Sequence, residues 1–302
     1  MKKLLLTALA ISLAGAGVQS QTVPHPLRVK LLTTELNTPK GITSMLNESY
    51  EGRLGKYLYV AESGANRIVA VDPETGLKTP FIETAPFPVG IVGWGGPFGQ
   101  ELMVGSAFGG GIQEIDRDGV RATMMPGMSV SGLDFGHGVF GEYLYAGEWA
   151  TGNVWRVDAL GKFTLFAQIP NGQSRYLRFS KGGDFGTFLY VTDYTSGKIY
   201  RIDPAGTVEL FASTGSPALE GLEFGPGIPF GRHLYTGDLS NGNLYQVDPS
   251  GTVKLWATGF PGVADIHFAP GAGDGYRMYI ADGHRSVYVI GTKLRAADRT
   301  DF

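Results

Sequence analysis

The 302-residue chain contains no cysteine, which excludes disulfides, thiolate metal sites and a lipidated N-terminal cysteine. Its five histidines are too sparse for a multi-histidine metal or proton-relay site. No H-E-x-x-H and no G-x-S-x-G occurs, so the common zinc-protease and serine-elbow signatures are absent. The formal net charge is −3 and no basic cluster interrupts the chain, which argues against a nucleic-acid partner. Beyond residue 20 there is no apolar run of membrane-spanning length, and no helical periodicity. Gly136-His137-Gly138-Val139-Phe140-Gly141 matches G-x-G-x-x-G, but it joins two strand-like runs with no helix after it, so it lacks the nucleotide-binding context.

What is abundant is glycine, 46 residues, about twice the usual share of ~7% and a sign of many tight turns. Residues 1–20 have the three parts of a secretory signal: Lys2 and Lys3, an apolar run from Leu4, then small residues. Val18-Gln19-Ser20 is the expected cleavage site, with Ala14-Gly15-Ala16 as the alternative. The expected location is secreted or periplasmic, with no membrane association after cleavage. Loss of the two lysines takes the mature charge to about −5.

The rest of the chain repeats. An apolar pair opens a short run at Leu58, Leu102, Leu144, Leu189, Leu234 and Met278, at steps of 44, 42, 45, 45 and 44 residues. Each copy divides into four pieces rich in β-branched and aromatic residues and bounded by Gly, Pro or Asp. In the fifth copy they start at Glu220 (A), Arg232 (B), Asn243 (C) and Thr252 (D). Turns such as Asp203-Pro204-Ala205-Gly206 and Asp248-Pro249-Ser250-Gly251 join C to D. Pro presets φ, Asp bonds the local backbone, and Gly takes a conformation a side chain would strain.

Repeated four-stranded antiparallel units of this length are propeller blades. One such sheet exposes two apolar faces, and only packing neighbours around a closed ring buries both. The sixth copy stops after its C strand, near Gly291. Leu27–Leu36 (LRVKLLTTEL) resembles the D strand of the fifth copy (GTVKLWATGF), so the N-terminal segment is expected to complete the last blade. The expected architecture is therefore all-β: a signal over 1–20, a six-bladed β-propeller over 27–291 and a charged tail over 292–302.

Strand A reads PKGITS from Pro39, VSGLDF from Val130 and LEGLEF from Leu219, and the B strand with its sequel reads LYV-x-D-x-x-x-G-x-I-Y-R-I-D. This resembles NHL-type repeats and the six-bladed gluconolactonase and senescence-marker-protein family, with paraoxonases and strictosidine synthases similar more distantly. The resemblance implies one divalent cation (calcium, magnesium, manganese or zinc) at the top of the central channel, and no organic cofactor. Its ligands come from the starts of A strands and the ends of B strands. Here the B strands end at Glu62, Ser106, Glu148, Asp193, Asp238 and Asp282. The A strands start at Lys40, Val89, Ser131, Arg175, Glu220 and Ala264. Glu220, Asp193 and Asp238 match metal-ligand positions. Lys40 stands at the family's first-blade glutamate, and Ser131-Gly132 is the nearest match to its Asn-Gly.

Two readings of function follow. In the first, a lactone hydrolase, the cation polarises an ester carbonyl and activates water, one of Glu148, Asp193 or Asp238 serves as ligand or base, and Arg175, Tyr176 and His267 contact the substrate. In the second, a non-catalytic propeller binds a small molecule, carbohydrate, peptide or protein at its top face. A monomer is expected in either case. Each residue also has a structural reading. The B-end acids bond the N–H groups of their own turns, Glu220 pairs with Arg175, Arg175 and Tyr176 plug the channel, and His267 is a hydrogen-bonded interior residue.

Overall fold

The protein is described by a computed structural model covering residues 20–45, 56–94, 98–99, 101–116, 118–271 and 275–294. The expected signal segment, apart from Ser20, and residues 295–302 of the expected tail lie outside the described residues.

Among the described residues, short apolar runs, mostly buried on both faces and separated by glycine-rich turns, give 24 strands in six four-stranded antiparallel sheets. Blade 1 holds β2 (Pro39–Ser44), β3 (Leu58–Glu62), β4 (Arg67–Val71) and β5 (Lys78–Glu83). Blade 2 holds β6 (Pro88–Trp94), β7 (Glu101–Ser106), β8 (Gly111–Asp116) and β9 (Gly119–Met124). Blade 3 holds β10 (Val130–Phe135), β11 (Leu144–Glu148), β12 (Asn153–Val157) and β13 (Phe163–Gln168). Blade 4 holds β14 (Ser174–Phe179), β15 (Leu189–Asp193), β16 (Lys198–Ile202) and β17 (Val208–Ser213). Blade 5 holds β18 (Leu219–Phe224), β19 (Leu234–Asp238), β20 (Leu244–Val247) and β21 (Val253–Ala257). Blade 6 holds β22 (Asp265–Pro270), β23 (Tyr276–Ala281) and β24 (Val287–Gly291), and its fourth strand is β1 (Arg28–Thr33).

That last pairing closes the ring as the sequence indicated. β1 runs antiparallel to β24, with Val29 opposite Ile290 and Leu31 opposite Tyr288. Leu32 and Leu36 pack with Tyr279, Val287 and Val289 of blade 6 and with Val69 and Val71 of blade 1. The innermost strands, β2, β6, β10, β14, β18 and β22, neighbour one another in a circle.

The blades interlock through aromatic rings. The buried Tyr of strand B packs against Phe of the next blade's strand A, with centroids 4.9 Å apart for Tyr145 and Phe179, and 5.5 Å apart for Tyr190 and Phe224 and for Tyr235 and Phe268. A buried phenol needs a partner. Tyr145 and Tyr190 donate to the carbonyls of Phe140 and Phe185 in their own A–B loops. The C–D turns behave as their composition requires: Asp203 Oδ1 accepts from the N–H groups of Ala205 and Thr207, and Asp248 Oδ1 from those of Ser250 and Thr252.

In five blades the A–B register shifts after the first residue of strand A, between Pro39 and Ile42 in blade 1 and between Leu219 and Leu222 in blade 5, for example. Such a bulge re-aims side chains. Here it coincides with Lys40, Val89, Ser131, Arg175 and Glu220 at the top of the channel. The following residue is Gly in four blades because the next inner strand lies where a Cβ would stand. A Cβ on Gly132 would meet Cα of Tyr176 at 2.6 Å, and one on Gly221 would meet Cα of Asp265 at 2.6 Å.

Candidate functional site

The channel is filled in three layers. In the top layer Glu220 (β18), with no exposed surface, accepts from two cations delivered by other blades. Lys40 Nζ (β2) reaches its two oxygens at 3.1 and 3.0 Å. Arg175 (β14) donates from Nε at 3.0 Å and Nη2 at 2.6 Å, both to Oε1. Lys40 is 4% exposed and Arg175 2%. Burial holds the Lys40 ammonium below its usual pKa, although the Glu220 carboxylate beside it pulls the other way. Arg175 Nη1 is buried without a hydrogen-bond partner. The Arg175 guanidinium lies over the rings of Trp149, 4.1 Å from its centroid, and Tyr194, 5.2 Å away. Trp149 Nε1 is fixed by Gln173 Oε1 at 2.8 Å, and its ring is 6.2 Å from that of Phe108, which is 71% exposed. Phe108 packs in turn on Phe87 at 5.2 Å. Phe87 and Phe108 both have left-handed backbone, at φ 57° and 55°. This conformation is costly for an aromatic residue and is often concentrated at functional sites.

The middle layer is Tyr176 and Asp265, which stand where the other blades have Gly. Tyr176 is buried, and its hydroxyl donates across the ring to the Val89 carbonyl at 3.5 Å. Burial raises its phenol pKa well above the usual value. Tyr176 therefore plugs the channel below Arg175 instead of lining its mouth. Asp265 accepts from the N–H groups of Ile42 and Ile266 at 3.0 and 2.9 Å. Burial, opposed by Arg178, still pushes its carboxyl up to about 7.

The bottom layer surrounds a separate cavity of about 260 Å³. Arg178 Nε pairs with Glu223 at 3.0 Å, and Nη1 donates to the carbonyls of Leu133 and Leu177. His267 Nε2 lies 2.7 Å from Ser44 Oγ. Burial pushes the His267 imidazole down to about 4, and pushes the Asp134 carboxyl up to about 6. His267 thus occupies the mouth opposite Arg175, and the expected contact set of Arg175, Tyr176 and His267 is not one site. The three sit at different levels of strand A, and only the first is at the top.

The acids expected to share a cation do not converge either. Asp193 accepts from the N–H groups of Gln173 and Thr195, the Thr195 hydroxyl and the Ser196 hydroxyl. Asp238 accepts from the N–H groups of Ser240 and Asn241 and from the hydroxyls of Ser216 and Ser240. Glu148 Oε2 takes Asn153 Nδ2 at 3.0 Å and Trp155 Nε1 at 2.9 Å, both within its own blade. Among the described residues no three His, Asp or Glu side chains come together as a metal site. The residues present do not fit a divalent ion, because turn donors occupy Asp193 and Asp238 and two cations occupy Glu220. The physical reason is the repeat itself. An acid that recurs at the end of strand B satisfies the recurring turn beside it.

Four contributors were missed from sequence: Trp149, Tyr194, Phe108 and the cationic role of Lys40. A signal for the first two was present. The residue after each B-strand end is Ser63, Ala107, Trp149, Tyr194, Leu239 and Gly283, and it is aromatic only in the two adjacent blades 3 and 4.

No protein-family model and no curated protein matches the sequence. Solved structures do match in fold. Virginiamycin B lyase from Staphylococcus aureus is 17% identical at a TM-score of 0.61, over 90% of this chain and 99% of that one. A gluconolactonase from Xanthomonas campestris is 14% identical at 0.68, over 90% and 94%. An auxiliary nutrient binding protein from Bacteroides thetaiotaomicron is 13% identical at 0.65, over 85% and 69%. At these identities the likeness establishes the fold alone, a six-bladed β-propeller.

Proposed function

We propose that the chain is an exported, monomeric propeller that binds a small-molecule or carbohydrate ligand at its top face. The observation that supports this reading is the Arg175 guanidinium stacked on Trp149 and Tyr194, beside the exposed ring of Phe108. Convergent aromatic faces around one fixed polar group are a common way to hold a ring-shaped polar ligand. Phe87 packs edge to face on Phe108 at 5.2 Å and extends the aromatic rim. A structurally similar protein described as nutrient-binding is consistent with a binding role.

The chain has four tryptophans, so ligand entry is readable in fluorescence. Titration with a panel of mono- and oligosaccharides is expected to quench the Trp149 contribution. Trp149→Ala is expected to weaken binding by about tenfold or more, the scale of a lost stacked contact of 1–2 kcal/mol. Unchanged affinity in a Trp149→Ala/Tyr194→Ala protein would move the site elsewhere.

The second reading, a divalent-cation-dependent lactone or ester hydrolase, is favoured by the likeness to gluconolactonase structures. It requires Glu220 to leave both Lys40 and Arg175. Metal content after purification, with a lactone and ester panel in the presence and absence of chelator, decides it. No retained ion and no chelator-sensitive turnover removes this reading.

The lower mouth has its own expected result. The unfolded chain protonates His267 near pH 6.5, whereas the folded protein does so only at about 4. Its contribution to stability is therefore complete above pH 6.5 and is lost as the pH falls towards 4. Histidine NMR titration is expected to show one imidazole still neutral at pH 5, absent in His267→Gln. A titration of that resonance near 6.5 would refute it.

A further inference from the structure

The top layer is out of charge balance. Lys40 and Arg175 bring two positive charges and Glu220 one negative charge, all at 4% exposure or less. Water does not screen such a cluster, so an uncompensated buried cation is costly. None of the three nearest further acids pairs with either cation. Asp193 and Asp238 keep their charge but direct their oxygens to turn donors. Asp265, on the far side of Tyr176, bonds two backbone N–H groups, and its main charged neighbour is Arg178 of the lower layer. Arg175 shows where a second anion belongs: it cannot shed its charge, and its Nη1 is buried with no acceptor.

Resting on the top-face binding reading, we infer that the ligand carries a carboxylate, which supplies the missing negative charge to Arg175 Nη1 and the neighbouring Lys40. Glu220 already occupies the Nε and Nη2 donors, so Nη1 is the donor left for a ligand oxygen. A carboxylate suits a guanidinium in both charge and shape. The aromatic rim of Trp149, Tyr194 and Phe108 then receives the ring that bears it.

The test uses the mature full-length protein and two matched pairs of probes, glucuronate with glucuronamide and benzoate with benzamide, at constant ionic strength. Calorimetry is expected to show each carboxylate binding at least tenfold tighter than its amide. Arg175→Lys is expected to erase most of the preference for carboxylate. The ligand-free Lys40→Met protein is expected to melt at a higher temperature than wild type, since it leaves one cation facing one anion. If the amides bind as tightly as the acids, the carboxylate inference fails while the binding reading stands. If none of the four probes binds, or the preference survives in Arg175→Lys, the carboxylate assignment is overturned. Loss of saccharide binding in the fluorescence panel as well would bring down the binding reading with it.

Discussion

Removing residues 20–34 is expected to abolish the single cooperative unfolding transition of this protein. The shortened chain should populate aggregates or exchanged dimers on size-exclusion chromatography. The deletion takes away β1 and so leaves the hydrogen-bonding edge of β24 unpaired, from Val287 to Gly291. An exposed apolar edge of this kind pairs with other chains. It also strips Leu32 from the cluster that joins blade 6 to blade 1. A ring differs from an open stack of repeats in this respect: losing one closure strand uncovers faces in two blades at once. The single-residue counterpart is Leu32→Ala, expected to cost about 2–5 kcal/mol in urea unfolding, the range for truncating a buried leucine. A truncated chain that unfolds at the wild-type midpoint would show that β1 does not hold the ring shut.

Glu220→Gln is expected to destabilise the protein by about 3–5 kcal/mol, because it leaves Lys40 and Arg175 both buried with no anion between them. Gln keeps the volume and one acceptor oxygen, so the loss reports charge more than packing. Adding Lys40→Met to Glu220→Gln is expected to recover a large part of it, since one of the two stranded cations is then gone. Residues in one network do not add independently, and this double variant measures that coupling directly through urea midpoints. A Glu220→Gln protein as stable as wild type would mean that the cluster carries no net electrostatic weight.

These two predictions stand on features that were legible to different degrees. The closure strand was readable because Val29, Lys30, Leu31 and Thr34 align with Val253, Lys254, Leu255 and Thr258 of the D strand of blade 5. A strand's identity resides in local alternation and flanking turns. Glu220 was readable as unusual, since no other blade has an acid there, and its pairing with Arg175 was one of two readings of the sequence. Lys40 was read as a departure from a family pattern, and its role as the second cation on Glu220 was not foreseen. The two lie 180 residues apart and meet only across the channel. The B-end acids carried two readings, as ligands implied by the family resemblance and as acceptors for their own turns, and the structure shows the turn contacts. Recurrence cannot tell a carboxylate aimed at the channel from one turned into its own loop, and Asp193 and Asp238 are of the second kind.

The sequence alone determined the period, the four strands of each unit, the chemistry of the turns and the need for a closing strand. All of these follow from short-range alternation and from backbone positions that only certain residues tolerate. The tertiary structure decided which side chains share the top of the channel, since Lys40, Arg175 and Glu220 come from blades 1, 4 and 5 and become neighbours only when the ring closes. It also decided that Tyr176 is a plug and that His267 belongs to the opposite mouth. A repeat position fixes depth along strand A, whereas the company a residue keeps across the channel is set by whichever blades the circle brings round to face it.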